Sequence, residues 1–496
     1  VFYLVKDDET ISITTSSIYM REGDVIDDLG IVYENRKTFS DYEVFSSNDG
    51  IATYDKEKGT LTAVSGGIAT ITFRTDNVKF RNLSCQVYVG DGSITSPYYI
   101  QTADDLREIG AKNADGTETQ FGLDKCYKLV NNINLADGYS STGYWVPIGT
   151  GSGDGFTGSF DGNGYTISNV NVNKQAFIEA IDQIEGYNEP FAEIRTYTNA
   201  GVFGKIGPNG RVVNLKLENI NISGDYSNAS ILGNVGVVAG ENYGTIERVE
   251  VVSGYVDVVG TNNVGGITGT NVSSEATITI PNESGTGVTH EYVRFTARVD
   301  RTIANVQLGI SKDYTTGTIT GATKNVGGLV GTNHGGSIIY SYSKGEAHLN
   351  SEASNYGGIV GYNAYVNFLT KNDSYLYEYS GAHVKDCYTL MKLRKVNAIN
   401  DGTNIGGVIG FNQDRVALDL DANGIEGVES AGFVNKIIGN YYLTENLNYV
   451  EQSSVVNPDE EEIVEQKTYI GCGKYENDNK VQPYPDTQYI IQGKNS

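Results

Sequence analysis

One string in the chain alternates oxygen-bearing side chains: Asp419-Leu420-Asp421-Ala422-Asn423-Gly424. Oxygens at the first, third and fifth places with glycine at the sixth are what a calcium loop requires, because a hard cation collects several oxygens around a sharp turn. The acid expected at the twelfth place is missing; Ser430 stands there, with Glu429 one residue early and Glu426 nearer still. A solvated acidic turn in an insertion is the first reading, and Asp419, Asp421 and Asn423 as a non-standard calcium site the second.

Other chemistry is sparse. The four histidines, His290, His334, His348 and His383, form no zinc motif; His290-Glu291 lacks the second histidine that the metal needs one helical turn later. No GxSxG or CxxC string occurs, and the glycine-rich strings lack the Lys and Ser/Thr of a phosphate cradle. Carboxylates are plentiful but cluster in turns such as Asp161-Gly162 and Asp55-Lys56, and a single Trp is available to stack a sugar. No catalytic residue is assigned, and binding without turnover is expected.

The elements that would carry any site are strands. Gly is 61 of 496 residues and Pro only 8, a glycine excess without the proline of collagen or disordered linkers. Tyr is 35, with abundant Thr, Val and Ile and only 2 Met, a composition suited to pleated surfaces. The net charge of −25, from 61 acids and 36 bases, argues against nucleic-acid partners and anionic membranes, which need a basic footprint. There is no run of 18 apolar residues, and the chain opens VFYLVKDDET, so any export signal is expected upstream or already removed. Cys85, Cys126, Cys387 and Cys472 are widely spaced and read first as buried thiols, second as disulfides.

A repeat organises the middle of the chain. Asn199-Ala-Gly-Val-Phe-Gly, Asn234-Val-Gly-Val-Val-Ala-Gly, Asn263-Val-Gly-Gly-Ile-Thr-Gly, Asn325-Val-Gly-Gly-Leu-Val-Gly, Asn355-Tyr-Gly-Gly-Ile-Val-Gly and Asn404-Ile-Gly-Gly-Val-Ile-Gly share one frame, with starts 35, 29, 62, 30 and 49 residues apart. Each apolar run is too short to bury itself, so stacking as coils of a solenoid is the physical reading. The glycine pairs Gly265-Gly266, Gly327-Gly328, Gly357-Gly358 and Gly406-Gly407 would supply positive φ or a close backbone approach. The closing Asn271, Asn333, Asn363 and Asn412 are expected to stack as a hydrogen-bonded side-chain ladder. Residues 174–198, which look partly helical, 273–320, which read as extra strands, and 366–380 depart from the period and read as surface insertions, where recognition usually sits.

Ahead of the repeats, Ile51-Ala-Thr-Tyr54 and Thr60-Leu-Thr-Ala-Val64 flank a polar DKEKG turn as a hairpin, followed by an alternating strand from Ile68 to Phe73. TADDLREIG, beginning at Thr102, is a short helix capped by Thr102 or Asp104. The segment SSNDGIATYDKEKGTLTAVSGGIATITF resembles the bacterial Ig-like group 2 family, which implies a spacer or adhesin module on an exported bacterial protein. KLVNNINL, YWVPIG and FTGSFDGNGYTI, followed by the Asn-Gly repeats, resemble the opening of β-helix domains that carry GLUG repeats.

The expected fold is all-β, an Ig-like β-sandwich followed by a right-handed parallel β-helix with insertions. Residues 1–92 would be the Ig-like domain, 93–125 a linker with a capping helix, 126–450 the β-helix and 451–496 a C-terminal cap or extension. The expected function is that of an extracellular, non-enzymatic adhesin or stalk on a bacterial surface. It would bind a host glycan, a protein receptor or other surface proteins, with no cofactor unless calcium and no insertion of this segment into the membrane. A carbohydrate-active β-helix enzyme and a surface-layer or filament subunit are the alternatives.

Overall fold

The computed structural model describes residues 2–6, 9–27, 29, 31–34, 42–75, 83–113, 116–136, 143–150, 153, 155–183, 196–226, 232–259, 261–281, 288–309, 324–349, 354–369, 377–395, 403–414, 416–420, 426–433, 437–438, 440–443, 472–477, 480–481 and 491–494. The chain divides into two compact units, one of Val1–Leu106 with Asp124–Asn131 and Gly158–Asp161, the other of the remaining residues.

In the first unit the expected hairpin forms, Ala52–Asp55 pairing antiparallel with Thr60–Ala63, and Val25–Ile26 adds to its edge. The next strand leaves that sheet. Gly67–Thr75 lies between Tyr42–Ser46 and Leu83–Gly90, antiparallel to both, and Ser17–Arg21 joins Leu83–Gly90 in parallel. Gly67 makes the departure with φ 146°, a conformation that L side chains avoid. One core joins the two sheets: Ala52, Leu61 and Ala63 from the hairpin sheet belong to the same buried cluster as Ile18, Met20, Ile71, Phe73 and Val87 from the other. Tyr98–Ile100, Cys126–Leu129 and Ser159–Asp161 pair in parallel in the same unit. The short helix Ala103–Glu108 is capped reciprocally, since Asp105 N–H donates to Thr102 Oγ1 at 3.2 Å and Thr102 N–H to Asp105 Oδ2 at 2.9 Å. Thr102 is thus the cap, and Asp105 also holds Arg21 at 2.6 Å.

The second unit is built of parallel coils. One sheet stacks Gly233–Gly236, Thr261–Gly265, Asn325–Gly327, Asn355–Gly357 and Asn404–Gly406. A second stacks Phe203–Ile206, Ala239–Asn242, Thr268–Val272, Val330–His334, Val360–Ala364, Ile409–Asp414 and Cys472–Asn477. The long third sheet carries two strands per coil in several turns, such as Ser337–Ile339 with Tyr342–Leu349 and His383–Lys385 with Tyr388–Lys395. These long parallel sheets are those of a β-helix, and aliphatic side chains such as Val330, Ile338 and Ile359, all fully buried, fill its interior. Ile491–Lys494 continues the long sheet from Asn440–Leu443, so strands beyond residue 450 add to the stack as coils do.

The glycine pairs work by close approach and not by positive φ. Gly265, Gly266, Gly327, Gly328, Gly357 and Gly358 are absent from the positive-φ positions of the described residues. A Cβ on Gly266 would overlap Gly328 O, one on Gly328 would overlap Gly358 O, and one on Gly358 would overlap Gly407 O. The pairs therefore set coil-to-coil contact.

Insertions leave this frame as antiparallel hairpins: Ser274–Pro281 with Val288–Phe295, and Val366–Leu369 with Tyr377–Ser380. Arg298–Asp300 and Ile303–Gly309, expected to be insertion, are strands of the long sheet. Their local alternation is that of any half-buried strand, so only the parallel partners distinguish scaffold from insertion. In 174–198 a helix forms over Lys174–Asp182, capped by Asn173, whose side chain accepts from Ala176 N–H at 2.9 Å.

Candidate binding face

The interior of the coils is given over to structure. The closing asparagines stack as expected: Nδ2 of Asn242, Asn271, Asn333 and Asn363 donates to Oδ1 of Asn271, Asn333, Asn363 and Asn412 at 2.8, 2.8, 2.8 and 2.7 Å. Every one of these five side chains is fully buried. The second amide hydrogen bonds a backbone carbonyl, as from Asn333 to Gly336 O at 3.0 Å and from Asn363 to Ala382 O at 3.1 Å. A carbonyl only accepts, so these contacts fix the direction of the ladder.

A second ladder, formed by the asparagines that open the repeats, runs the other way. Nδ2 of Asn234, Asn263, Asn325, Asn355 and Asn404 donates to Oδ1 of the preceding Asn199, Asn234, Asn263, Asn325 and Asn355 at 3.2, 2.7, 2.8, 2.6 and 2.7 Å. Its polarity is set by acceptors and donors beside it, since Asn234 Nδ2 also donates to Glu241 Oε1 at 2.9 Å, and the Thr332 hydroxyl donates to Asn263 Oδ1 at 2.5 Å. The sequence placed these residues in the frame but not in a ladder.

The expected calcium ligands are only partly within the described residues. Asp419 lies on Val416–Leu420, opposite Val428 of Glu426–Phe433 in an antiparallel pair; its side chain, and all of Asp421 and Asn423, lie outside them. Among the described residues no group of three or more His, Cys, Asp or Glu side chains is placed to hold a metal ion. His334 sits in the second sheet, His348 and His383 in the long one and His290 on the inserted strand Val288–Phe295. Cys85 and Cys387 are buried thiols, pushed by burial up to about 11 and about 12, and Cys126 is raised in the same direction. Trp145 is withdrawn from sugar stacking: it is buried and its indole Nε1–H donates to Val202 O at 3.0 Å.

What the coils do present is on the outer surface of the long sheet. Asn214, Arg248, Arg301, Tyr340 and Asp386 occupy one corner in successive turns, all in the left-handed region, with φ of 54°, 53°, 50°, 50° and 53°. Backbone contacts tie neighbours together, Arg301 N–H donating to Ile339 O and Tyr340 N–H to Lys385 O, each at 3.1 Å. Beside this row two carboxylates lie beneath guanidinium groups. Glu247 meets Arg248 at 2.6 Å, Arg301 at 2.9 Å and Arg211 at 3.7 Å; Asp300 meets Arg298 at 2.7 Å and Arg301 at 3.4 Å. Asp300 and Glu247 are 0% and 15% exposed, whereas Arg211, Arg248, Arg298 and Arg301 are 51%, 49%, 43% and 49% exposed. The acids are underneath and the cations face water.

Aromatic side chains continue the face. Tyr340 is 54% exposed. Two residues on, Tyr342 stacks on Tyr388 of the next turn with ring centroids 4.6 Å apart and planes 10° from parallel. Burial in that stack, together with Tyr342 itself, raises the Tyr388 phenol above its ordinary value. Guanidinium groups and flat exposed rings side by side suit anionic and sugar-like ligands, through charge-assisted hydrogen bonds and ring stacking.

Sequence reasoning missed this face because insertions hide its period. The corner residues Arg248, Arg301, Tyr340 and Asp386 fall 6, 30, 7 and 23 residues after their closing asparagines, the larger intervals containing the two hairpins. The faint signal is an aliphatic residue two places earlier: Ile246, Val299, Ile338 and Val384.

No family model matches the chain, and no solved structure matches it. Over 189 residues, 37% of this chain, the sequence is 29% identical to Halomucin of Haloquadratum walsbyi, and the chain spans only 2% of that protein's length.

Proposed function

We propose that this chain is an extracellular, non-enzymatic binding module of a bacterial surface protein, an adhesin or the body of a stalk. In this reading residues 1–92 are an Ig-like group 2 spacer and the coils are a right-handed GLUG-repeat β-helix that carries the recognition surface. The observation that supports it best is the division of labour in the second unit. Interior polar positions are occupied by ladders of amides, which bond one another along the stack, while the outer sheet face displays arginine and tyrosine. A catalytic site must bring an acid, a base and a charge-stabilising group within hydrogen-bond reach, and the repeat positions supply mainly Gly, Val, Ile and Asn. The likeness to a stretch of Halomucin supports a place at a surface.

Two measurements test this together. Protease treatment of intact source cells should remove the protein, and the purified chain should bind members of a polysaccharide and receptor panel without releasing reducing ends. Protection from the protease, or turnover abolished by one carboxylate substitution, would overturn the proposal.

A further inference from the structure

We infer that the corner row and the sheet face beside it form a binding site for acidic polysaccharide. Arg248, Arg301, Arg211 and Arg298 would hold carboxylate or sulfate groups, and the exposed ring of Tyr340 would take a sugar ring. The inference rests on the binding-module reading above and names the class of ligand.

Charge is the first argument. In a chain of net charge −25 this face gathers four guanidinium groups around the covered carboxylates of Glu247 and Asp300, with Asp386 as a more exposed acid at the far end of the row. Long-range repulsion from the rest of the chain is screened beyond about 8 Å at physiological salt, so a polyanion near the face responds to the arginines. Arg also offers a planar fork of donors that matches a carboxylate or sulfate.

Backbone conformation is the second. The left-handed corner is adopted most readily by Gly or Asn, and Asn214 occupies it in one turn. Arg248 and Arg301 hold the same conformation while neutralising Glu247 and Asp300. Tyr340 holds it with a large side chain that reaches solvent, so folding alone does not account for its identity.

Repetition is the third. Successive coils place one corner side chain about every 4.8 Å along the stack, a linear array suited to a polymer with a repeating charge rather than to one compact ion. The exposed Tyr340 ring favours a ring-bearing polymer, and a nucleic acid would need a broader basic footprint than this single row.

The test uses the full chain, immobilised, with hyaluronan and polygalacturonate as acidic glycans, dextran as a neutral glycan, and polyglutamate and DNA as polyanions without or with other rings. The expected result is saturable binding of at least one acidic glycan, weakened roughly tenfold by the double variant Arg248→Asn/Arg301→Asn and likewise by Tyr340→Asn. Arg211→Gln, at the edge of the cluster, provides a second charge variant should the double variant not fold. Arg294→Gln on the inserted hairpin should leave binding unchanged. Equal binding of polyglutamate or DNA, or acidic-glycan binding that ignores Tyr340→Asn, would overturn the inference. Binding of dextran alone would overturn it and leave the binding-module reading standing. Release of reducing ends from any glycan would instead remove that reading, which separates the two failures.

Discussion

Asn333 Nδ2 donates to Asn363 Oδ1 across 2.8 Å, and both side chains are fully buried. Asn355 Nδ2 donates to Asn325 Oδ1 at 2.6 Å in the opposite direction along the stack. The two ladders thus point their amide dipoles against each other, so their contributions along the axis oppose rather than accumulate. Asn242, Asn271, Asn333 and Asn363 each also donate to a backbone carbonyl that would otherwise lack that hydrogen bond.

The inner ladder should be expensive to interrupt. Asn333→Leu keeps an approximate shape but leaves the Asn271 amide, Asn363 Oδ1 and Gly336 O each short of a partner. With about 1–3 kcal/mol for each unsatisfied buried group, a loss of at least about 3 kcal/mol in urea unfolding is expected. Asn404→Ala, in the second and less buried ladder, should cost about 1 kcal/mol. Equal losses would contradict the burial argument.

Gly328→Val should damage folding more than any change on the inserted hairpin. The added Cβ would collide with Gly358 O, a backbone atom held by hydrogen bonds from the Ser343 and Thr389 hydroxyls, so relief requires the coils to separate. A loss of about 3 kcal/mol or more is expected, against a few tenths for Arg294→Gln. Thermal melts of the two variants, compared with the parent chain, settle the point.

Tyr340→Asn should not destabilise the fold. It replaces an exposed side chain at φ 50° with the residue type best suited to that region, and Asn214 occupies the same corner three turns earlier. The expected change is between zero and about 1 kcal/mol of stabilisation, read as a shift in urea midpoint at constant slope. A midpoint that falls substantially would show that the ring packs in a way its exposure does not suggest.

Stability should vary with pH through Glu241. Burial raises its carboxyl above the ordinary value of 4.5, opposed by Lys205 and by hydrogen bonds from Asn234 and Asn199. A raised carboxyl favours the protonated form in the folded state, so its stabilising contribution is complete below pH 4.5 and is lost as pH rises through the folded value. Glu241→Gln keeps an acceptor for Asn234 and removes the charge. It should be more stable than the parent at pH 7, with the difference closing toward pH 4 in matched denaturant titrations. A difference independent of pH would assign the effect to packing.

Calcium is tested directly by calorimetry. If Asp419, Asp421 and Asn423 bind it, the chain should gain about 2.7 kcal/mol at a hundredfold excess over Kd, and Asp421→Ala should abolish that gain. Absence of both heat and stabilisation would leave the string as an acidic turn.

The sequence by itself determined the coil and its interior. Asn, Gly and aliphatic residues recur in a fixed local order, and local order is enough to define a strand, a tight approach and a buried amide, so the ladder through Asn271, Asn333, Asn363 and Asn412 was legible. The capped helix at Thr102 and the hairpin at residues 52–63 were legible for the same reason. Only the tertiary structure decided that Trp145 is buried, that the glycine pairs serve contact rather than φ, and that Arg248, Arg301 and Tyr340 share one exposed corner. Each of these depends on which coil lies above which, and hairpins of unequal length shift the corner residues in sequence without moving them in space.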